Sequence, residues 1–163
     1  MIKCCVLTIS DKGYRGERRD LSGDEVIRLL EEWGFSVEDS RVIPDEKDMI
    51  KGTLLEYTDE RKMDLVITTG GTGVSPRDVT PDATMEAIER ELPGMAEAMR
   101  RESMKKTPHA MISRAVAGIR GESLIVNLPG SPRGAVENLN AILPALKHAI
   151  EKIKGDESDC ACL

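Results

Sequence analysis

The chain moves between short continuous apolar runs and longer stretches with helical periodicity. Lys3 to Ile9 holds the partly β-branched run Cys4-Cys-Val-Leu-Thr-Ile9, which predicts a strand buried on both faces. The polar stretch Ser10 to Leu21 predicts a loop. Ser22-Gly-Asp-Glu25 has capping-box spacing, and Val26, Leu29, Leu30 and Trp33 then recur at helical intervals as far as Gly34, predicting a helix with Trp33 in the core. Ser36 to Ile43 and Leu65 to Thr69 are the second and third strands, separated by a helix from Met49 to Tyr57 with Ile50, Leu54 and Leu55 on one face. After Thr80-Pro81, a cap followed by a first-turn proline, two helices are expected, Ala83 to Arg90 and Met95 to Lys105, punctuated by Pro93-Gly94. Ala115 to Ile119 and Ser123 to Leu128 flank Arg120-Gly-Glu122 as a tight antiparallel hairpin. The final helix follows Ser131-Pro132 and turns Val136, Leu139, Ile142, Leu146 and Ile150 inward, with a kink or restart expected at Pro144.

Strands alternating with helices give an α/β fold: a three-layer, mostly parallel sheet with helices on both faces and a small β-hairpin. Residues 1–154 form one domain in this reading. Residues 155–163, GDESDCACL, offer little to bury and are expected to be a disordered tail. Cys160-Ala-Cys-Leu163 has the outline of a prenylation box, but a solvated tail is the expectation.

Composition narrows the function classes. The 23 Lys and Arg against 29 Asp and Glu leave a net charge of −6, and one Trp, two Tyr and one Phe are too few for a stacking surface, so no nucleic acid partner is expected. No uncharged apolar run approaches the roughly 18 residues of a membrane span. The first ten residues lack a secretory pattern, which points to a cytoplasmic protein without a membrane partner. The cysteines, Cys4-Cys5 and Cys160-x-Cys162, lack zinc-site spacing, and neighbouring residues in a strand face opposite ways.

In open α/β sheets ligands bind outside the carboxyl ends of the strands. Four predicted strands run into Ser10-Asp11, Pro44-Asp45, Gly70-Gly-Thr-Gly73 and Pro129-Gly-Ser131, so acidic and glycine-rich loops should meet on one edge. Gly70 to Gly73 is either a phosphate cradle or an ordinary strand-exit turn. It is neither a P-loop nor a dinucleotide fingerprint, because no Gly-Lys-Ser/Thr follows and Pro76 takes the third glycine position. Asp78 lies outside the neighbouring helix and is a candidate Mg²⁺ ligand, whereas Asp82 suits the helix dipole. Asp45 fits a turn and a ligand role equally. Ser103, Ser113 and Arg114 read by default as capping or solvent-facing groups, and His109 as a loop residue; no Ser-His-Asp or Cys-His arrangement can be assembled.

Ile43-Pro-Asp-Glu46, Thr68-Thr-Gly-Gly-Thr-Gly73, Pro76-Arg-Asp-Val-Thr-Pro-Asp-Ala-Thr84, Ser113-Arg-Ala-Val-Ala-Gly118 and Asn127-Leu-Pro-Gly130 together resemble the molybdopterin adenylyltransferase family, the MogA/MoaB type and the G domain of gephyrin-like proteins. The likeness is collinear from about residue 3 to 153. It implies a reaction in which ATP and the terminal phosphate of molybdopterin, assisted by Mg²⁺, give adenylyl-molybdopterin and pyrophosphate, ahead of molybdate or tungstate insertion by a separate molybdenum-insertion protein. A homo-trimer is implied, with a hexamer in the MoaB branch; Met95 to Met104 would supply apolar contact surface. By the resemblance, Asp45 and Asp78 are the catalytic and metal-binding carboxylates. Asp20, Gly70, Gly71, Thr72, Gly73, Pro129, Gly130 and Ser131 meet the nucleotide and phosphates, and Ser103 and Ser113 line the pterin pocket. The alternative is a MoaB-type molybdopterin-binding or scaffold protein without turnover.

Overall fold

The computed structural model describes residues 1–157. The Cys160-Ala-Cys-Leu163 motif lies outside the described residues. A six-stranded sheet carries β1 (Lys3–Ile9), β2 (Ser36–Ile43), β3 (Leu65–Thr69), β4 (Arg90–Glu91), β5 (Ala117–Arg120) and β6 (Ser123–Leu128) in the order β2-β1-β3-β6-β5-β4. β2, β1, β3 and β6 are parallel, with Ile9 opposite Ile43, Thr8 opposite Thr69 and Thr69 opposite Leu128, so their carboxyl ends share one edge. β5 and β4 run antiparallel beyond β6. Gly121 takes a positive φ of 53° in the two-residue loop between β5 and β6.

Alternation along the central strands divides the core in two. Cys4, Val6, Leu65, Ile67, Leu124 and Val126 pack under α2 (Leu21–Glu32), α5 (Pro93–Met104) and α6 (Pro132–Ile153). Cys5, Leu7, Ile9, Val66 and Ile125 face α3 (Lys47–Leu55) and α4 (Thr80–Ala87) on the other side. This is the three-layer α/β arrangement the sequence predicts. Burial pushes the Cys4 thiol up to about 12, aided by Glu38, Glu31 and Asp64. Burial raises Cys5 as well, so neither thiol is a thiolate at neutral pH.

Several local expectations are corrected. The stretch after β1 contains a one-turn helix, α1 (Asp11–Tyr14), capped by the Ser10 side chain. Asp20, not Ser22, caps α2, because its carboxylate accepts from the Gly23 N–H at 2.8 Å; the Ser22 hydroxyl instead donates to the Gly130 carbonyl at 2.5 Å. Trp33 sits at the end of that helix and is 41% exposed, with Phe35 filling the core beside it. α3 starts before Met49 and continues into a wide π-type turn over Glu56–Glu60. α4 stops at Ala87, and Arg90–Glu91 pairs with β5. α6 passes through Pro144 without restarting; Pro144 and Asn140, whose carbonyl loses its donor, are both exposed, so water can satisfy it. On α5, Met95 and Met99 enter the core and only Met104 of the three methionines is exposed, which removes most of the contact surface expected there.

Candidate active site

Strand order reverses at β1, between β2 and β3, and there the carboxyl-end loops part to leave a cavity of about 640 Å³. Thr8 to Ser10, Asp20, Asp45, Gly70, Gly71 and Asp78 line it, with Gly130 and Ser131 along one side. A second cavity, of about 450 Å³, opens beyond that side between α5 and α6, lined by Thr72, Gly73, Ser103, Ser113, Pro129 and Ser131. Ser131 borders both. The eight nucleotide and phosphate candidates therefore divide: Thr72, Gly73 and Pro129 face the second cavity, alongside the two pterin candidates.

The glycine loop is built to present amides. Gly70 and Gly71 adopt φ values of 95° and 65°, and a Cβ on Gly70 would overlap the Ile9 carbonyl. Its three following carbonyls are held from behind: Gly71 O accepts from Thr80 N–H at 3.2 Å, Thr72 O from Arg114 N–H at 2.8 Å, and Gly73 O from Arg114 Nε at 2.9 Å. The Gly70 N–H is spent on the Leu128 carbonyl, but those of Gly71, Thr72 and Gly73 donate to nothing among the described residues. Three unspent amides on a loop whose carbonyls are tied down can donate to an anion. Arg114, read from sequence as a default surface group, is the brace. It also donates to the Asp78 carbonyl at 2.6 Å and forks onto Asp82 at 3.0 and 3.2 Å, holding the Asp82 carboxyl below its usual range.

Two carboxylates reach the first cavity from different loops. Asp45 and Asp11 are reciprocally tied: Asp11 N–H donates to Asp45 Oδ2 at 2.9 Å and Asp45 N–H to Asp11 Oδ1 at 3.0 Å. Arg77 grips Asp11 through two bonds of 3.0 and 3.1 Å and also holds Glu46 at 2.9 Å, so Asp11 is kept below the usual carboxylate range by that guanidinium. Asp45 is pushed the other way, first by its burial and then by the charges of Asp11 and Asp78. Asp78 Oδ2 accepts from the Ser75 N–H at 2.9 Å and lies against Gly73. Asp45 Oδ1 receives no hydrogen bond among the described residues. A carboxylate crowded by like charge, with one oxygen unspent and a second carboxylate in the same cavity, suits a magnesium ion that keeps its waters and also binds phosphate.

Asp20 borders this cavity, but both its oxygens are engaged, one by Gly23 and the other by the Thr8 hydroxyl at 2.5 Å, so it shapes the wall as a cap. Sequence reasoning brings Asp11 to this edge but gives it no part in fixing Asp45, and it misses the basic lining of the second cavity. There, Arg100, Lys106, His109 and Arg133 sit near the pterin candidates, with Lys106 and Arg133 each 2.8 Å from Glu137. Their scatter along the chain hides them: Arg100 is on α5, Lys106 and His109 follow that helix, and Arg133 opens α6 after the Pro129 loop.

A family model described as a probable molybdopterin binding domain matches residues 5–148. The molybdopterin adenylyltransferase of Helicobacter pylori (strain J99) is 42% identical over 153 residues, covering 93% of this chain and 87% of the relative. That of Escherichia coli (strain K12) is 44% identical over 147 residues, covering 86% and 73%. Among solved structures, the molybdopterin biosynthesis enzyme MoaB of Thermus thermophilus superposes with a TM-score of 0.91 at 49% identity, covering 96% of this chain and 98% of that one. The tungsten cofactor synthesizing protein MoaB of Pyrococcus furiosus superposes at 0.86 with 32% identity, covering 94% and 97%. With the family model spanning most of the sequence and relatives above 40% identity over nearly all of it, the chain belongs to the molybdopterin-binding family of molybdenum cofactor biosynthesis proteins.

Proposed function

We propose that this protein transfers the adenylyl group of ATP to the terminal phosphate of molybdopterin, releasing pyrophosphate. The observation that carries the reading is the pair of cavities that share Ser131, one bordered by Asp45 and Asp78 together with Arg18 and Arg19 and the other by Ser103, Ser113, Lys106 and Arg133, with the free amides of Gly71 to Gly73 between them. ATP occupies the Asp45/Asp78 cavity and molybdopterin the Ser103/Ser113 cavity, so that the pterin phosphate reaches the α-phosphorus beside Ser131. The attacking phosphate oxygen forms the new bond to that phosphorus as its bond to the bridging oxygen of pyrophosphate breaks.

A phosphate monoester is already a nucleophile, so no side chain has to be activated as a base or acylated. The protein's part is to hold two anions in line. The unspent amides take phosphate oxygens, and Lys106 and Arg133 offset charge on the pterin side. Asp45 and Asp78 would hold a magnesium ion, which when bound offsets the triphosphate charge. The adenylylated product then passes to a separate molybdenum-insertion protein. The protein works in the cytoplasm as a homo-trimer, with a hexamer as the alternative, and light scattering that gave a monomer at micromolar concentration would remove both assemblies.

Purified protein supplied with Mg-ATP and molybdopterin should release pyrophosphate and yield a pterin heavier by one adenylyl group. ATP alone should turn over slowly, because the attacking phosphate is missing. Tight molybdopterin binding with no pyrophosphate under any divalent ion would instead identify a non-catalytic binding or scaffold protein.

A further inference from the structure

Thr80 is the residue whose chemistry the fold leaves unexplained. Sequence pattern makes it a helix cap, yet Val79 occupies that position, no side chain caps α4, and Thr80 is the first helical residue. Its side chain is fully buried, and its hydroxyl is a buried side-chain polar group with no hydrogen-bond partner among the described residues. Such a group costs stability and calls for a reason.

Its surroundings supply one. The Thr80 N–H donates to the Gly71 carbonyl, and its Oγ1 closes on the face of Gly71 that lacks a side chain, where a Cβ would overlap it. Asp45 Oδ1 approaches that same point to 3.1 Å, and it is the oxygen of Asp45 that receives no hydrogen bond. A donor without an acceptor and an acceptor without a donor thus flank one glycine of the phosphate cradle. The Thr80 backbone is well anchored beneath them: its carbonyl accepts from Thr84 Oγ1 at 2.8 Å, and Thr84 accepts from Asn127 Nδ2 at 2.9 Å, which also donates to Thr68 Oγ1 at 3.0 Å.

We propose that Thr80 is a positioning residue whose hydroxyl donates to Asp45 Oδ1 when Mg-ATP fills the first cavity, fixing the rotamer of that carboxylate through the gap left by Gly71. The inference rests on the adenylyltransferase reading for the identity of the ligand. The cost of the unpaired hydroxyl is carried by the empty protein and relieved on binding.

Thr80→Val keeps the shape and removes the hydroxyl, while Thr80→Ser keeps the hydroxyl and removes the methyl. Without ligand, the Val variant should melt at or above the parent temperature. Saturating Mg-ATP should stabilise it less than it stabilises the parent. Its KM for ATP should rise about tenfold with little change in kcat, since the bond forms on binding and a hydrogen bond to a charged group is worth about that factor. The Ser variant should recover the parent KM for ATP even if it melts lower. A Val variant that melts several degrees below the parent without ligand would show that the hydroxyl already has a structural partner, and the proposal would fall. It would fall equally if Ser raised KM for ATP as Val does, or if Mg-ATP stabilised Val and parent alike. A parent that forms no pyrophosphate overturns the adenylyltransferase reading, and the melting comparison with Mg-ATP still decides the role of Thr80.

Discussion

The same parallel strands end in two regions of opposite character. At their amino ends polar groups are paired off: Asp64, almost buried, accepts from the Lys3 N–H at 2.8 Å and is ion-paired to Lys154, and the Ser123 hydroxyl donates to the Met63 carbonyl at 2.6 Å. A cavity of about 370 Å³ exists there too, but two of its three acidic lining residues, Asp59 and Asp64, already have cationic partners, Arg120 and Lys154. At the carboxyl ends three loop amides, one carboxylate oxygen and one buried hydroxyl have no partner among the described residues, and Asp45 faces two like charges. The amino edge pairs its buried polar groups and closes the sheet, and the carboxyl edge keeps hydrogen-bonding capacity for anions.

Removing a carboxylate should disturb the carboxyl edge most. Asp45→Asn and Asp78→Asn should each reduce adenylylation at least about a hundredfold, the scale of losing one charge contribution in a site of this kind. Turnover near the parent rate in a folded double variant would remove both from the mechanism. Next is the brace. Arg114→Ala should lower turnover about tenfold by loosening the cradle, and Arg114→Lys should recover little, because one ammonium cannot reproduce a fork that reaches Gly73, Asp78 and Asp82 together. Full activity in the Lys variant, measured by pyrophosphate release, would show that charge alone suffices.

At the other edge, Asp64→Ala should cost about 1–3 kcal/mol through the orphaned Lys3 amide and the lost ion pair, leaving kcat unchanged. Thermal melting should fall by several degrees; a parallel loss of turnover would mean the two edges are coupled. The smallest effect is pH-dependent. Because the Asp45 carboxyl titrates above its unfolded range, its ionised form destabilises the folded protein once pH exceeds the unfolded value, and the penalty fades as pH falls below it. Asp45→Asn should therefore melt slightly above the parent at neutral pH, and the difference should vanish in acid.

Much of this is legible in the sequence because the signals are local. Continuous apolar runs mark β1, β3 and β6, and the rule that ligands bind at strand carboxyl ends is enough to bring Asp45, Gly70 to Gly73 and Pro129 to Ser131 to one edge. What stays hidden depends on distance along the chain. Arg114 reads as a surface arginine until Thr72 and Gly73 are folded against it, and Asp11 gains meaning only through Asp45 and Arg77. Trp33 follows the helical period but falls just past the last helical residue, where the chain turns and Phe35 takes the core position. Thr80 matches a cap pattern, and only the backbone angles of α4 reveal that its hydroxyl serves no cap.

If the two adjoining cavities at the carboxyl edge form one reaction site, both substrates must be able to occupy them together. A crystal structure of the protein with molybdopterin, magnesium and a non-hydrolysable ATP analogue examines this without intermediate steps. The triphosphate should lie against Gly71 with Asp45 and Asp78 beside it, the pterin against Ser103 and Ser113, and the pterin phosphate next to Ser131 facing the α-phosphorus. Both ligands competing for a single cavity, or the nucleotide bound at the amino edge near Asp64, would contradict a joint site.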